Sequence, residues 1–492
     1  MGGVRGLLPR LPILQQKLIH RTRRRLMTLR NILLAGTAIG AAAFLTAPAF
    51  AASNTQAELD ALKAQIEALQ RKVDDVEIQH GTAIKSLEER KSDVKVTLKD
   101  GRPGFKTADG NFSFNLHGRA HLDVGGYDQD SASEANFGGL RGNANFRRLR
   151  LGAAGTFAKD FAYNIEFNFG DSGTESNARI YEALLTYKGI EGVNLVLGAA
   201  KPKMTLDDST SSNDITFIER ATAVNLALAP AAGEARMLTG GTFNTDNFFG
   251  AAYYTMGTVG SINSSGTASP GNTDFDTSNV VGRLAYATSP KEGLNVHIGA
   301  SASHSFNVPG DTTRFRDRPE LRVDATRLID TGNIGGVDTI TVYGPELALN
   351  YGPFRAQGEY YRYDIDGIAG GSAELDAWYL QASWILSGES YSYDIKKAAY
   401  KGVKPANPFG FGNGGAGAWE VALRYSQADL NDAGAGIAGG EQDIITVGLN
   451  WYVNNNLRFM LNYLNVDVED RGGVANPDFG HDAVALRTQF TF

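Results

Sequence analysis

The sequence predicts an all-β protein: a sixteen-stranded antiparallel transmembrane β-barrel preceded by a short α-helical coiled coil. Three observations carry the prediction. Runs of about ten residues alternate strictly between apolar and polar side chains, giving each a dry face and a wet face. The runs are even in number and joined alternately by short turns and long polar loops, as a closed barrel requires, since lipid tolerates no open strand edge. An export signal stands at the amino terminus.

Residues 1–51 have the three parts of a secretory signal peptide. Arg21, Arg23, Arg24, Arg25 and Arg30 form its basic region, NILLAGTAIGAAAFLTAP its apolar run, and Ala49 to Ala51 its small-residue cleavage site. Met27 offers a second start that makes a complete signal by itself. The competing reading, an uncleaved helical anchor, is disfavoured by the alanine-rich run and by Pro48. Cleavage removes eight basic residues and no acidic ones, leaving 39 basic against 54 acidic and a mature net charge of −15. That charge argues against nucleic-acid binding. The chain has no cysteine, which excludes disulfides, thiolate metal sites and a cysteine nucleophile.

Residues 53–91 carry apolar side chains at Leu59, Leu62, Ile66, Leu69, Val73 and Val76, spaced alternately by three and four. This heptad seam reads as an oligomerising coiled coil, too short to count its own chains; the alternative is an amphipathic helix lying on its own domain. Residues 92–110 read as a β-hairpin linker, with turn signals at Asp100-Gly101 and Asp109-Gly110.

The barrel domain spans residues 111–492. Its strands are expected near 111–127, 143–157, 160–171, 178–188, 193–200, 235–244, 246–257, 278–288, 293–303, 340–351, 353–364, 374–386, 417–428, 441–453, 455–468 and 480–492. In the first, Phe114, Leu116, Ala120, Leu122 and Val124 share one face, and Asn115, His117, Arg119, His121 and Asp123 the other. One connection departs from the pattern: residues 387–416 are long where a short turn is due, so either a strand is miscounted there or the turn is elaborated. A soluble sandwich, propeller or solenoid is disfavoured because no fixed repeat is visible and aromatic residues cluster at strand ends.

The stretches FRRLRLGAAGTF, LVLGAAKPKMTLDDSTSSNDITFIER, RFRDRPELRVDATRLIDTGNI, GAWEVALRYS and GLNWYVNNNLRFMLNY, in that order, resemble the phosphate-selective porins of the O and P type over about residues 110–492. The resemblance implies a passive bacterial outer-membrane channel, usually a trimer, that passes small anions such as phosphate. It also implies an amino-terminal coiled coil in many members, and Phe492 resembles the closing residue read by the outer-membrane insertion machinery.

Candidate site residues follow from both readings. Arg148 and Arg150 fall on the wet face of the second strand, and a bulge would turn Arg147 inward beside them. Arginine suits an oxyanion because its planar fork offers paired donors and keeps its charge. The loop 201–234 reads as the constriction. By resemblance, Arg147, Arg148 and Arg220 match the family's central anion site, whereas Asp207, Asp208 and Asn213 stand where members with high phosphate affinity carry lysines. The competing reading pairs the arginines with wall carboxylates such as Glu166, Glu182 or Glu219. Arg314, Arg316, Arg318, Arg322 and Arg327 read as an anion-collecting vestibule, or else as an ordinary solvated loop touching lipopolysaccharide.

No cofactor or metal is expected. His117 and His121 share a face but stand about 13 Å apart along a strand, too far to chelate one ion. No G-x-S-x-G or P-loop motif is present, which disfavours an enzyme. Two other functions stay open beside the anion channel: a general diffusion pore without anion preference, and a tether to peptidoglycan through the coiled coil.

Overall fold

The computed structural model describes residues 55–92, 94–99, 101–170, 179–233, 235–259, 277–288, 293–367, 371–412, 414–473 and 478–492. The expected signal peptide lies outside the described residues. The described residues fall into two units, divided after Glu89. In the first, helix α1 (Thr55–Ser92) runs 38 residues, and Leu59, Leu62, Ile66, Leu69, Val73 and Val76 are each more than half exposed along it.

The second unit opens with a hairpin, β1 (Val94–Lys99) and β2 (Arg102–Thr107). Sixteen strands follow: β3 (Ser113–Gln129), β4 (Asn143–Phe157), β5 (Phe161–Asn168), β6 (Arg179–Ile190), β7 (Val193–Ala200), β8 (Arg236–Asn244), β9 (Phe248–Thr258), β10 (Asn279–Ala287), β11 (Leu294–Ser305), β12 (Thr339–Tyr351), β13 (Phe354–Asp366), β14 (Ser372–Ile385), β15 (Ala418–Asp432), β16 (Ile437–Tyr452), β17 (Leu457–Glu469) and β18 (Phe479–Thr491). Each pairs antiparallel with the next, and β18 pairs with β3 from His481↔Gln129 to Thr491↔Arg119, closing the barrel. Phe492 extends the seam with two backbone hydrogen bonds to Gly118, each 3.0 Å. A Cβ on residue 118 would lie 2.6 Å from the Phe492 ring, so any larger residue there requires that ring to move.

The outward face is apolar and bare in the single chain: Leu347, Leu380, Leu423, Val447 and Val484 are all exposed. Lipid is the solvent that such a face requires. Aromatic rings mark both edges of the band. Trp419 stacks on Trp451 at 5.3 Å near the short-turn end, and Trp378 meets Tyr425 at 5.3 Å toward the other, the girdle expected at the two interfaces.

Residues 386–417 add no strand to the wall, because β14 pairs directly with β15. They form an elaborated turn carrying a small ladder, Ser392–Asp394 with Ala399–Lys401. Tyr391 and Tyr400 from it are buried; the Tyr400 hydroxyl donates to Asn295 Oδ1 at 2.9 Å, and Arg283 Nη2 donates to the Ala398 carbonyl at 2.8 Å. The turn therefore folds up into the lumen. Opposite it, the loops 201–235 and 306–338 fold inward from the long-loop end. Helix α2 (Ser131–Phe137) follows β3, and helices α3 (Leu206–Ser209) and α4 (Thr222–Leu228) lie in the loop 201–235. Leu226, Phe315, Leu321 and Leu328 from the two loops are buried with Tyr361 and Tyr363 of β13 in an apolar core inside the barrel. The inward face of β13 and β14 is thus apolar along its long-loop half, where alternation alone predicts a wet surface.

Candidate functional site

The constriction loop, residues 201–235, crosses the lumen from β7 and β8 to the far wall. At its start the Thr205 side chain caps α3 by accepting from the Asp208 amide at 3.0 Å. Glu359 of β13 accepts from the amides of Leu206 and Asp207, both at 2.9 Å. Beyond α3, inward side chains of four consecutive strands hold the loop's carbonyls. Arg424 donates to Glu219 O at 3.0 Å, Asn450 to Thr216 O at 2.9 Å, Arg458 to Ile215 O at 2.8 Å, and Gln489 to Asn213 O at 2.9 Å. A buried backbone group must find a partner. Here the wet face of the wall supplies it.

The arginines of NFRRLRLG divide between two partners. β4 carries a bulge at Arg147: His121 pairs with Arg148 while the next residue, Leu122, pairs with Phe146. The extra residue lets Arg147 and Arg148 both point inward, and both meet one carboxylate, Glu219, at 3.0 and 3.3 Å. Arg487 of β18 reaches it at 2.8 Å and Arg322 of the second loop at 3.7 Å. Burial alone would raise the Glu219 pKa, but Arg147, Arg148, Arg487 and Arg322 hold it well below the ordinary carboxylate range. Arg150 lies 3.3 Å over the Tyr181 ring and 3.6 Å from Glu166. The expectation that these arginines face open pore water is corrected: all three are buried, Arg147 and Arg148 because the loop that crosses the lumen brings Glu219 to them, and Arg150 against Tyr181 and Glu166 of the wall.

Arg220 is held by its own loop. It donates to the carbonyls of Asp207 at 3.1 Å and Thr210 at 2.7 Å, and lies 3.4 Å from Asp208 Oδ1. Asp208 also accepts from Lys201 at 2.5 Å. Burial would raise both aspartates; Lys201 and then Arg220 bring Asp208 below its ordinary value, while Asp207 stays above. Asn213 Oδ1 stands 3.1 Å from His121 Nε2.

The vestibule expectation is corrected in part. Arg318 and Arg322 are buried inside the barrel rather than presented to solvent. Arg314 forms a pair with Asp330 at 2.5 Å and is about a third exposed. Arg316 and Arg327 are half-buried.

Beneath the constriction, on the short-turn side, lies a cavity of about 490 Å³. Arg102, Arg119, Lys201, Lys203, Arg220 and Lys397 line it, against three carboxylates, Glu166, Glu182 and Asp208. Arg119 donates to Ser212 Oγ at 2.8 Å and lies 3.5 Å from Glu166. Burial, with Lys397 next in effect, pulls the Lys203 ammonium below its ordinary value. Reading the sequence for arginine clusters misses Arg119, Lys201, Lys203 and Lys397. Arg119 was legible as the wet-face partner directly opposite Arg150, and Lys201 and Lys203 as the two lysines opening the constriction loop. Lys397 had no signal, because nothing in residues 387–416 says that the turn folds inward.

The family model described as "phosphate-selective porin O and P" matches residues 114–492. Porin O of Pseudomonas aeruginosa is 28% identical over 434 residues, covering 82% of this chain and 93% of that protein. A Caulobacter vibrioides protein is 29% identical over 397 residues, covering 78% of this chain and 74% of its own. Among solved structures, the anion-selective porin from Comamonas acidovorans aligns over 77% of this chain and all of that one, with 16% identity and a TM-score of 0.46. The chain belongs to the phosphate-selective porin O and P family and is a bacterial outer-membrane porin.

Proposed function

We propose that this porin is a passive, cofactor-free channel for small anions, phosphate among them, whose selectivity is set by the basic chamber under the constriction. The observation that carries this reading is the charge of that chamber: six cationic side chains against three acidic side chains around one cavity of about 490 Å³. Charges lining a narrow, low-dielectric passage set its selectivity. Arg220, Arg150 and Arg119 act at its upper edge, with Asp207, Asp208 and Asn213 tempering them. Arg147 and Arg148 act through Glu219, shaping the constriction. Saturation of those two arginines favours a second reading, a general diffusion pore with little anion preference.

Reversal potential across a salt gradient separates the two. Anion preference is expected, and Lys201→Glu with Lys203→Glu together should reverse or abolish it; a wild-type preference for cations would overturn the proposal. Phosphate added to a chloride current tests the solute, since lack of block at about millimolar phosphate, a concentration typical of modest binding sites, leaves only a general pore.

The exposed heptad seam of α1 supports assembly of identical chains, and the family implies a trimer, with lipid and lipopolysaccharide around the wall and peptidoglycan as a candidate partner of the helix. Deleting residues 53–91 should weaken the oligomer in detergent while leaving single-pore selectivity intact; an unchanged oligomer would remove the helix from that role.

A further inference from the structure

The elaborated turn between β14 and β15 divides in two. Its first part enters the lumen, while residues 406–417 stay at the foot of the wall and are tied to the aromatic girdle of the short-turn end. The Phe409 amide donates to the Val453 carbonyl at 2.8 Å, Trp451 Nε1 donates to the Ala416 carbonyl at 2.9 Å, and the Trp419 amide donates to Ser387 Oγ at 3.1 Å. Ring contacts follow the same route. Trp419 stacks on Trp451, Phe409 meets Trp451 edge-on at 5.3 Å, and Phe411 meets Phe409 at 5.4 Å. Phe411 ends the series 99% exposed. A bare ring of that size is costly in water and finds cover at a membrane interface.

Beside these rings the two ends of the turn enclose a cleft of about 360 Å³, lined by Ser387, Glu389, Ala406, Asn407, Ala416 and Gly417. Gly417, at a φ of 71°, closes it where a Cβ would lie 2.4 Å from the Tyr452 carbonyl. Among the described residues, Glu389 is the one charged side chain lining the cleft. It is half-buried and held from two sides, accepting from Ser387 Oγ and from the Ala406 amide at 3.0 Å. Burial would raise its pKa, but those two donors bring it below the ordinary 4.5, so it is ionised at neutral pH. Both donors are neutral. A carboxylate accepts about four hydrogen bonds, which leaves room for a charged donor from outside.

We infer that this cleft binds the headgroup of an amine-bearing phospholipid of the periplasmic leaflet, whose primary ammonium donates to Glu389 while Phe409 and Phe411 lie against the upper acyl chain. Charge selects the ammonium, since an anionic headgroup would meet only repulsion from Glu389. Depth selects a lipid over a soluble amine, because the cleft is bonded to the rings that mark the membrane interface. The site lies outside the lumen and is independent of the anion reading of the pore.

The test takes the full-length protein in detergent, offers it phosphatidylethanolamine and phosphatidylglycerol with identical chains, and counts retained lipid by native mass spectrometry. Wild type should favour the amine lipid by roughly three- to fivefold, the ratio that an ion pair at a half-exposed site yields. Glu389→Gln, which removes the charge alone, should bring the ratio near one. Phe411→Ser should lower retention of both lipids and leave the ratio in place. A wild-type ratio near one, or a ratio that Glu389→Gln leaves unchanged, would overturn the site. Glycerophosphoethanolamine, the same headgroup without chains, should fail to displace the lipid at equal concentration; displacement would make this a site for soluble amines and overturn the membrane placement. In vesicles, Phe411→Trp should add emission that lipids brominated near their carbonyls quench. Added emission reached by iodide and not by bromine would put the ring in water and overturn the proposal. Heat-modifiable migration on gels verifies that each variant folds.

Discussion

Two sets of cations lie inside this barrel, and they differ in what answers them. Around Glu219, the guanidiniums of Arg147, Arg148, Arg322 and Arg487 converge on one carboxylate, and Arg487 also holds Asp123 through two bonds of 2.6 Å. In the chamber below, six cations share three carboxylates across an open cavity. The first set is buried and joined to the constriction loop; the second faces a cavity. The denser arginine cluster therefore builds the pore, and the sparser mixture of lysine and arginine colours its field. Arginine suits the first task, since its fork can bond a carboxylate and a carbonyl at once. Arg487 does so with Asp123 and the Ile218 carbonyl.

Glu219→Ala breaks the comparison most severely. It leaves four buried guanidiniums facing one another without their common anion, and removing one partner of a buried ion pair costs about 3–5 kcal/mol. The loop should detach from β4 and β18, giving larger, noisier single-channel currents and a lower unfolding temperature. Glu219→Gln, which keeps hydrogen-bonding capacity but not charge, should fall between. Wild-type conductance and noise in Glu219→Ala would show that the carbonyl contacts of β15 to β18 hold the loop unaided.

The same contrast explains what could be read from the sequence. Strand number and placement were legible to within a few residues, because each strand reports its own alternation: Asn143–Phe157 and Val193–Ala200 were expected with those bounds. Alternation within their own strands also puts Arg424, Asn450, Arg458 and Arg487 on the wet face. It could not say what they would meet. Which loop folds inward depends on contacts between residues separated by more than two hundred positions, as in Arg458 with Ile215. Local pattern carries no record of those. The extra turn at 386–417 was visible as an anomaly, yet its upward course rests on contacts such as Tyr400 with Asn295. Glu219 was visible only as one of several acidic candidates, since its role arises where four separate segments meet.

Acidification gives a smaller effect that acts on one region and spares the other. Asp207 sits above its ordinary pKa of 3.8 and Asp208 below it. As pH falls, Asp207 therefore loses its charge first, at a pH above 3.8, while Asp208 still answers Lys201 and Arg220. Arg220 then has one carboxylate beside it instead of two, and the upper edge of the chamber becomes more positive. Anion preference should rise, by roughly twofold in permeability ratio as an order of magnitude, as pH drops from neutral toward 4. The Glu219 contribution to loop stability has the opposite exposure to acid. A depressed carboxylate stabilises the fold above its unfolded value, near 4.5, and loses that contribution only as pH falls through its much lower folded value. Conductance amplitude and noise should thus stay constant over the window in which selectivity shifts. Reversal potentials and single-channel records taken at the same pH values check both halves. A selectivity that moves only when the noise does would place the titrating group in the Glu219 cluster rather than at Asp207, and Asp207→Asn, which should remove the shift alone, decides between the two.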